Sequence, residues 1–552
     1  MNRIYQSILG LGLMATALTV TSCIDETVPT SSTTEDQLKS SDRSLSALLW
    51  GMPASLNTED GDGGTHYRFG YGALMKVRDC MTGDYTTATN SYNHFSGWAR
   101  NVSQGENYAI GQYIWNVSYE FVQSANLMLN AVPDVENASD EVKGYVGAAY
   151  AFRAMEYLDL ARMYEFLPND KTSNINKDGN DVLNLTVPIV TEKTTEQEAR
   201  NNPRATRKDM AEFILSDLDK AEQYIVYLSE TNKTLPHLDC VYGLKARCYM
   251  WLEDYPKAQE YARKAIEESS LTRPMNEDEM LNTSKGFNDI SKWMWGGTLV
   301  KENDAVQTGI VNWVSWQCNE TSFGYNNYGP YIVIDAAMYA RISNTDIRKN
   351  LWAPGTYAQA PEWYQAYCVG INDCLDNNGN IIASRDAVKY RTWKACYSVK
   401  FRPNLGKYND VNIGTASSYP IMRLEEMYFI EMEAAAHQNA NAGLQMLEDF
   451  MKNYRDPDYS ILVSSQESIL EEILFQKRVE LWGEGQSFFD IKRLNMSVTR
   501  GYSGTNHVAG QRYNTDGRPA WMNLVIVQTE PNNNEAVVGF NNPDPSGKYT
   551  TN

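Results

Sequence analysis

The sequence predicts a mainly α-helical protein: tetratricopeptide-like helical repeats carrying a large, irregular, loop-rich region and a few short strands. Three observations lead there. Leu235 to Ser269 reads as two helices around a turn at Glu253-Asp254-Tyr255-Pro256. Helical segments with the same mixture of small and aromatic residues precede and follow it. Between Leu271 and Tyr419 the helical period fades, and Gly, Asn and aromatic residues dominate.

In the Leu235–Ser269 pair, Tyr242, Ala246 and Tyr249 fall on one helix face, and Ala258, Tyr261, Ala262, Ala265 and Ile266 on the other. Small residues stand where two helices must approach, with aromatic rings filling the space beside them. This is the logic of a repeat of roughly 34 residues, a unit that buries its faces only by stacking on neighbours. An ordinary hairpin in an all-α core is the plainer alternative, but the matched register on both helices favours the repeat.

The remaining elements follow in order. A helix starts near Leu45, and the Gly/Asp cluster of Thr58 to Thr65 breaks it; DGDGG lacks the ligand spacing of a calcium loop, so a turn is expected. Phe69 to Tyr85 reads as a helix. The polar loop after it holds Tyr92, His94, Phe95 and Trp98 outside any helical period. Tyr108–Asn130 and Glu141–Phe166 form a helix pair in which Gly144, Gly147, Ala148, Ala151 and Ala154 permit close packing. Thr206 and Asp209 make a capping box for the next helix. Asp373 to Asn380 reads as a turn. Helices return at Pro420–Gln438, Ala440–Arg455 and Ser468–Trp482, and Leu524 to Val527 is a possible strand. The helical scaffold thus covers about 108–270 and 420–495, and the loop-rich region about 58–107 and 271–419, in a single domain from 45 to 552.

The N-terminus speaks to compartment. Residues 1–22 combine a basic head, a short apolar run and small residues before Cys23, which is a secretory signal too short to span a bilayer. Val20-Thr21-Ser22-Cys23 matches the bacterial lipobox, so Cys23 is the expected lipidation site. Asp25 and Glu26 resemble the signal that exports lipoproteins to the outer face of the outer membrane. Residues 23–44 form an acidic, Ser/Thr-rich tether. The formal net charge of −20 argues against nucleic acid. Of eight cysteines, Cys240 and Cys248 lie too far apart on one helix to bridge, about 12 Å along the axis. Cys368 and Cys374 flank a loop and can pair. None has zinc-site spacing, and no cofactor is expected.

Four blocks carry a resemblance to the SusD/RagB family of surface nutrient-binding lipoproteins. The most specific comprises Arg478, Glu480, Leu481, Glu484, Gly485, Phe489, Asp490, Lys492 and Arg493. The second holds Arg423, Leu424, Glu426, Tyr428, Glu433 and Ala434. The third holds Phe152, Arg153, Ala154, Tyr157 and Tyr164, and the fourth Arg204, Thr206, Ile214, Asp217, Leu218 and Ala221. Departures from the pattern stand at Glu165, Gln476-Lys477, Gln486 and Leu494. The resemblance implies a repeat scaffold, an irregular ligand-binding region, binding of glycans or peptides, and a SusC-like TonB-dependent outer-membrane transporter as partner.

The chemistry favours binding over catalysis. Glu480 and Glu484 share a helix face, but one short helix makes no glycosidase cleft, and neighbouring Lys477 and Arg478 suit ion pairs. There is no GxSxG, HExxH, P-loop or dinucleotide turn. A surface glycoside hydrolase is therefore the weakest reading, behind glycan binding and peptide binding. Sugar rings stack on aromatic side chains, which selects Tyr92, His94, Trp98, Trp295, Trp313, Trp316, Tyr325, Tyr328 and Tyr331 as candidate ligand contacts, with Asp84 and Asn101 at polar edges. Trp313 and Trp316, amid Gly, Asn and β-branched residues, are expected to project from loops as a platform.

Overall fold

The computed structural model describes residues 42–59, 65–87, 89, 92–282, 284–307, 309–321, 323–353, 374–375, 381–383 and 396–551. Cys23, the signal segment, most of the tether, the DGDGG run and Cys368 lie outside them. The scaffold helices, in chain order, are α1 (Asp42–Ser55), α2 (Tyr71–Cys80), α3 (Ala109–Ala131), α4 (Asp140–Tyr164), α5 (Arg207–Ile225), α6 (Leu238–Trp251) and α7 (Tyr255–Glu268), followed after a long interval by α8 (Leu424–Gln438), α9 (Ala440–Tyr454), α10 (Gln466–Glu480) and α11 (Ser487–Arg493).

Each of α3 to α8 packs on the next in the series, and α9 and α10 both pack on α8 and on each other. The stack is therefore continuous in space although about 155 residues separate α7 from α8 in the chain. The loop-rich region is an insertion between two adjacent helices of a solenoid.

The repeat that opened the sequence argument is present. Asp254 caps α7 by accepting from the Lys257 N–H, Pro256 sits in its first turn, and Glu253 takes a positive φ of 60° to reverse the chain. Ala246, Ala258, Ala262 and Ala265 are fully buried, and Tyr249 and Tyr261 stack with centroids 5.5 Å apart. On α4, Gly147 meets the end of α5 so closely that a Cβ would lie 2.4 Å from the Ile225 nitrogen. Any side chain there would have to move backbone, so the small-residue stripe sets the distance between the helices.

Ion pairs join the stack where the family-like residues lie. Arg153 on α4 grips Asp217 on α5 through two hydrogen bonds of 2.7 and 2.9 Å, and Arg247 on α6 grips Glu426 on α8 at 2.6 and 2.7 Å. At the end of α10, Glu480 accepts from Arg455 (2.8 and 2.9 Å), Arg423 (3.2 Å) and Arg348 (3.3 Å), and Glu484 from Arg423 and Lys400. Burial alone would raise the Glu480 carboxyl, but Arg455, Arg423 and Arg348 together hold it well below the usual carboxylate range. The sequence expected Lys477 and Arg478 as neighbours for these glutamates. Instead Lys477 pairs with Glu433 and Asp490, and Arg478 with Asp84, because the two side chains leave α10 on other faces.

Other boundaries differ from expectation for local reasons. Helix α1 begins at Asp42, so the last residues of the expected tether are helical. Pro420–Met422, read as the start of a helix, belongs to the strand Ser418–Met422 (β6), paired antiparallel with Trp295–Thr298 (β2). Thr206 caps α5, but the Asp209 carboxylate takes the Thr206 hydroxyl at 2.7 Å and not its backbone N–H, so the box is half made. Leu524–Val527 is extended yet forms no ladder: the side-chain amides of Asn541 and Asn542 bind the Ile526 N–H and the Ile526 and Leu524 carbonyls in its place. Cys374–Leu375 (β4), inside the stretch read as a turn, pairs antiparallel with Ile381–Ala383 (β5) just beyond it. Cys80, Cys240, Cys248, Cys318 and Cys396 are buried free thiols, as small apolar residues would be. Among the described residues no helix is long and apolar enough to cross a membrane.

Candidate functional site

The cap is organised on α2, all of whose residues are buried. Arg78 reaches Asp159 on α4 at 2.7 Å, and the Asp79 carboxylate accepts the Gly485 N–H at 3.0 Å; burial pushes Asp79 up to about 8. Gly485 has φ +70°, and a Cβ there would lie 2.7 Å from the Met75 Cα, so glycine is required where the family-like signature crosses α2.

From the end of α2 the chain runs into Tyr85–Thr87 (β1), which pairs antiparallel with Ile332–Ile334 (β3). This short sheet brings together the two aromatic-rich segments that sequence singled out. At their junction Trp316 and Tyr325 stack face to face, with centroids 4.0 Å apart and planes 1° apart. His94 and His66 stack on each other at 4.7 Å, and both present edges to Tyr325 at 5.3 and 5.4 Å. Behind them lie Phe95, 5.0 Å from Trp316, and then Trp98. The Lys76 ammonium sits beneath, over Tyr85, Phe95 and Trp316, donating to the Tyr85 hydroxyl and to the Trp316 carbonyl at 3.0 Å. Burial pushes it down to about 8.

The cluster has an inside and an outside. Trp98, Trp313, Trp316 and Trp295 are all 2% exposed or less. The expected tryptophan platform is therefore corrected: these four indoles are core. Trp313–Gln317 is a short helix that Asn312 caps by accepting the Ser315 N–H, so the three-residue spacing turns both rings inward, Trp313 against Phe401 and Tyr419. Asn312 three residues before Ser315 was the signal available in the sequence. Trp295 packs against Phe152 of the helical stack and donates to the Thr234 carbonyl. Asp84 is also no edge contact, since Arg478 holds it bidentately and its carbonyl accepts from Trp482. Asn101 is buried at a positive φ of 51°.

What remains outward is a different set. Tyr92 is 70% exposed, in left-handed backbone at φ 54°. His94 and Tyr331 are half-buried, while Tyr325 is buried beneath Trp316, His66 and His94. The Tyr328 side chain lies outside the described residues. The loops touch: a Cβ on Gly329 would lie 3.2 Å from Thr89. Burial, and then His66, hold the His94 imidazole below its ordinary range.

Sequence reasoning missed His66 and Asn326. Asn326 is fully buried beside Tyr325, and neither end of its amide has a partner among the described residues; the same holds for His66 Nδ1 and Thr65 Oγ1. Buried polar atoms are almost always paired, so three such groups around one aromatic junction mark a place for ordered internal water. No periodicity announces them, because each is a single polar residue in a loop.

This architecture defines a helical-repeat scaffold carrying an aromatic cap, and sequence comparison places it. The chain belongs to the SusD/RagB family. A family profile described as "Starch-binding associating with outer membrane" matches residues 65–250, and the SusD family profile matches 321–542. A SusD-like protein P38 from Formosa agariphila is 20% identical over 404 residues, covering 70% of this chain and 72% of the relative. Among solved structures, a SusD-like carbohydrate binding protein from Bacteroides vulgatus superposes with TM-score 0.68 at 20% identity, over 89% of this chain and 96% of that one. Surface glycan-binding protein A from Bacteroides thetaiotaomicron does so with TM-score 0.61 at 16% identity, over 91% and 98%.

Proposed function

We propose that this protein is a non-catalytic surface lipoprotein that binds oligosaccharide at the aromatic junction and hands it to a SusC-like TonB-dependent transporter. Tyr92, His94 and Tyr331 offer ring faces and edges to the apolar C–H faces of a sugar. The observation that carries the reading is this aromatic cluster, buried on one side and leaving Tyr92, His94 and Tyr331 open to solvent on the other. The names of relatives, among them a carbohydrate binding and a glycan-binding protein, support a glycan. Glu480 and Glu484, the pair that would suggest hydrolysis, are locked into buried ion pairs and face no cleft. Lipidation at Cys23 would hold the domain at the outer face of the outer membrane, tethered and not spanning.

The test is a binding screen of oligosaccharides and peptides against the chain carrying Cys23→Ala, repeated with a Tyr92→Ala, His94→Ala double variant. Oligosaccharide binding that the double variant weakens about tenfold or more supports the reading. Binding of peptides alone would transfer the site to peptide import.

A further inference from the structure

A cleft of about 550 Å³ lies on the scaffold, its lining sharing no residue with the aromatic junction. One wall is a stripe along α3: Trp115, Asn116, Tyr119 and Gln123, at helical spacing. The facing wall is Pro188, Val190 and the short helix Glu196–Ala199, and the end is closed by the helix Thr529–Asn533. Its size is that of a small-molecule site.

The walls are tied to one another and not merely adjacent. The Tyr119 hydroxyl donates to the Pro188 carbonyl at 2.7 Å. The Asn534 amide bonds both the N–H and the carbonyl of Asn202, at 2.9 and 2.7 Å. The Glu535 N–H donates to the Arg200 carbonyl, and the Thr529 hydroxyl to Gln112 on α3. Three segments far apart in sequence are thereby fixed around one space, so a ligand would meet a preformed site.

The lining selects the ligand. Half-buried Tyr119, backed by buried Trp115 with centroids 4.9 Å apart, gives an aromatic floor beside Pro188 and Val190. Asn116 and Gln123 are exposed along the rim. The cation in the cleft, Arg200, is engaged by Glu196 at 2.7 Å, and Glu120 and Glu530 add further negative charge, which disfavours an anion. An aromatic floor with amide and carboxylate edges matches a ring with apolar C–H faces and hydroxyl rims. We propose that this cleft is a second saccharide site, for an uncharged sugar, independent of the aromatic junction. It rests on the glycan reading above and adds a contact on the helical scaffold, so that one chain would hold a polysaccharide at two points.

Calorimetric titration of the Cys23→Ala chain with neutral oligosaccharides of several lengths and linkages tests this. An Asn116→Ala, Gln123→Ala double variant alters exposed rim side chains, Asn116 also accepting from Gln112 at 2.6 Å, and the Tyr92→Ala, His94→Ala double variant alters the junction. The expected result is two binding events. The rim variant weakens one about tenfold, the loss of roughly 1.4 kcal/mol of hydrogen bonding, and spares the other. The junction variant does the reverse. A single event that only the junction variant weakens overturns the second site and leaves the glycan reading standing. A single event that only the rim variant weakens supports the cleft and moves the proposed site there. No binding by any saccharide sinks both.

Discussion

In the helical stack, neighbouring helices are drawn together by small residues and tied by buried guanidinium–carboxylate pairs such as Arg153–Asp217 and Arg247–Glu426. In the cap, few such pairs occur around the site among the described residues; rings pack on rings, and the buried Lys76 ammonium rests among Tyr85, Phe95 and Trp316 with no carboxylate of the described residues bonded to it. The contrast follows from backbone. Helices satisfy their own N–H and C=O groups, so side-chain polarity is available for joining elements. Loops have to satisfy their backbone with side chains, as Asn312 and Asn319 do, and aromatic area supplies the cohesion. A region held by rings can leave some of them half open to solvent, and the candidate site lies there.

The comparison breaks most sharply at Glu480. Glu480→Ala leaves Arg348, Arg423 and Arg455 buried around a missing charge, which should cost about 3–5 kcal/mol in urea unfolding. A loss under about 1 kcal/mol would mean that the network is not what joins the stack. Trp316→Ala asks the same of the cap and is expected to cost about 3–5 kcal/mol through cavity formation. The original platform expectation, in which Trp316 loss affects ligand alone, would be restored by an unchanged melting temperature.

Ala246→Trp forces bulk between α6 and its neighbours, where overpacking should cost about 1–3 kcal/mol and leave ligand preference unaltered in whatever folds. The pH dependence offers a subtler probe of the cap. His507 is buried 3.6 Å from Asp335, and burial, then Arg500, push its imidazole down to about 3 from 6.5. The folded chain thus binds this proton less readily than the unfolded chain. The contribution is fully present above pH 6.5 and is lost as pH falls from 6.5 towards 3. His507→Gln should therefore shift acid unfolding to lower pH, provided neutral stability survives; an unmoved acid midpoint would remove His507 from the account. Smallest in stability is Tyr92→Ala, expected within about 0.5 kcal/mol because the ring is exposed, while oligosaccharide affinity falls. A large destabilisation would show that Tyr92 is a cap-packing residue and not a contact.

By itself the sequence determined the scaffold. Small and aromatic residues at spacings of three and four, with Asp254 and Pro256 at a helix start, are local signals, and a helix is a local structure; α6 and α7 fall where those signals put them. The family-like blocks were equally legible, since each falls within a stretch of fewer than twenty residues. Their roles were not: which arginine meets Glu480 depends on α8, α9 and a turn more than 100 residues away folding onto one end of α10. The aromatic loops were found but their orientation was not. Trp316 and Tyr92 look alike in composition, and only the packing of Trp316 against Phe95, Tyr325 and Lys76 makes one core and leaves the other at the surface. His66 and Asn326 were invisible for the same reason: an unpaired buried polar atom exists only once its neighbours are in place.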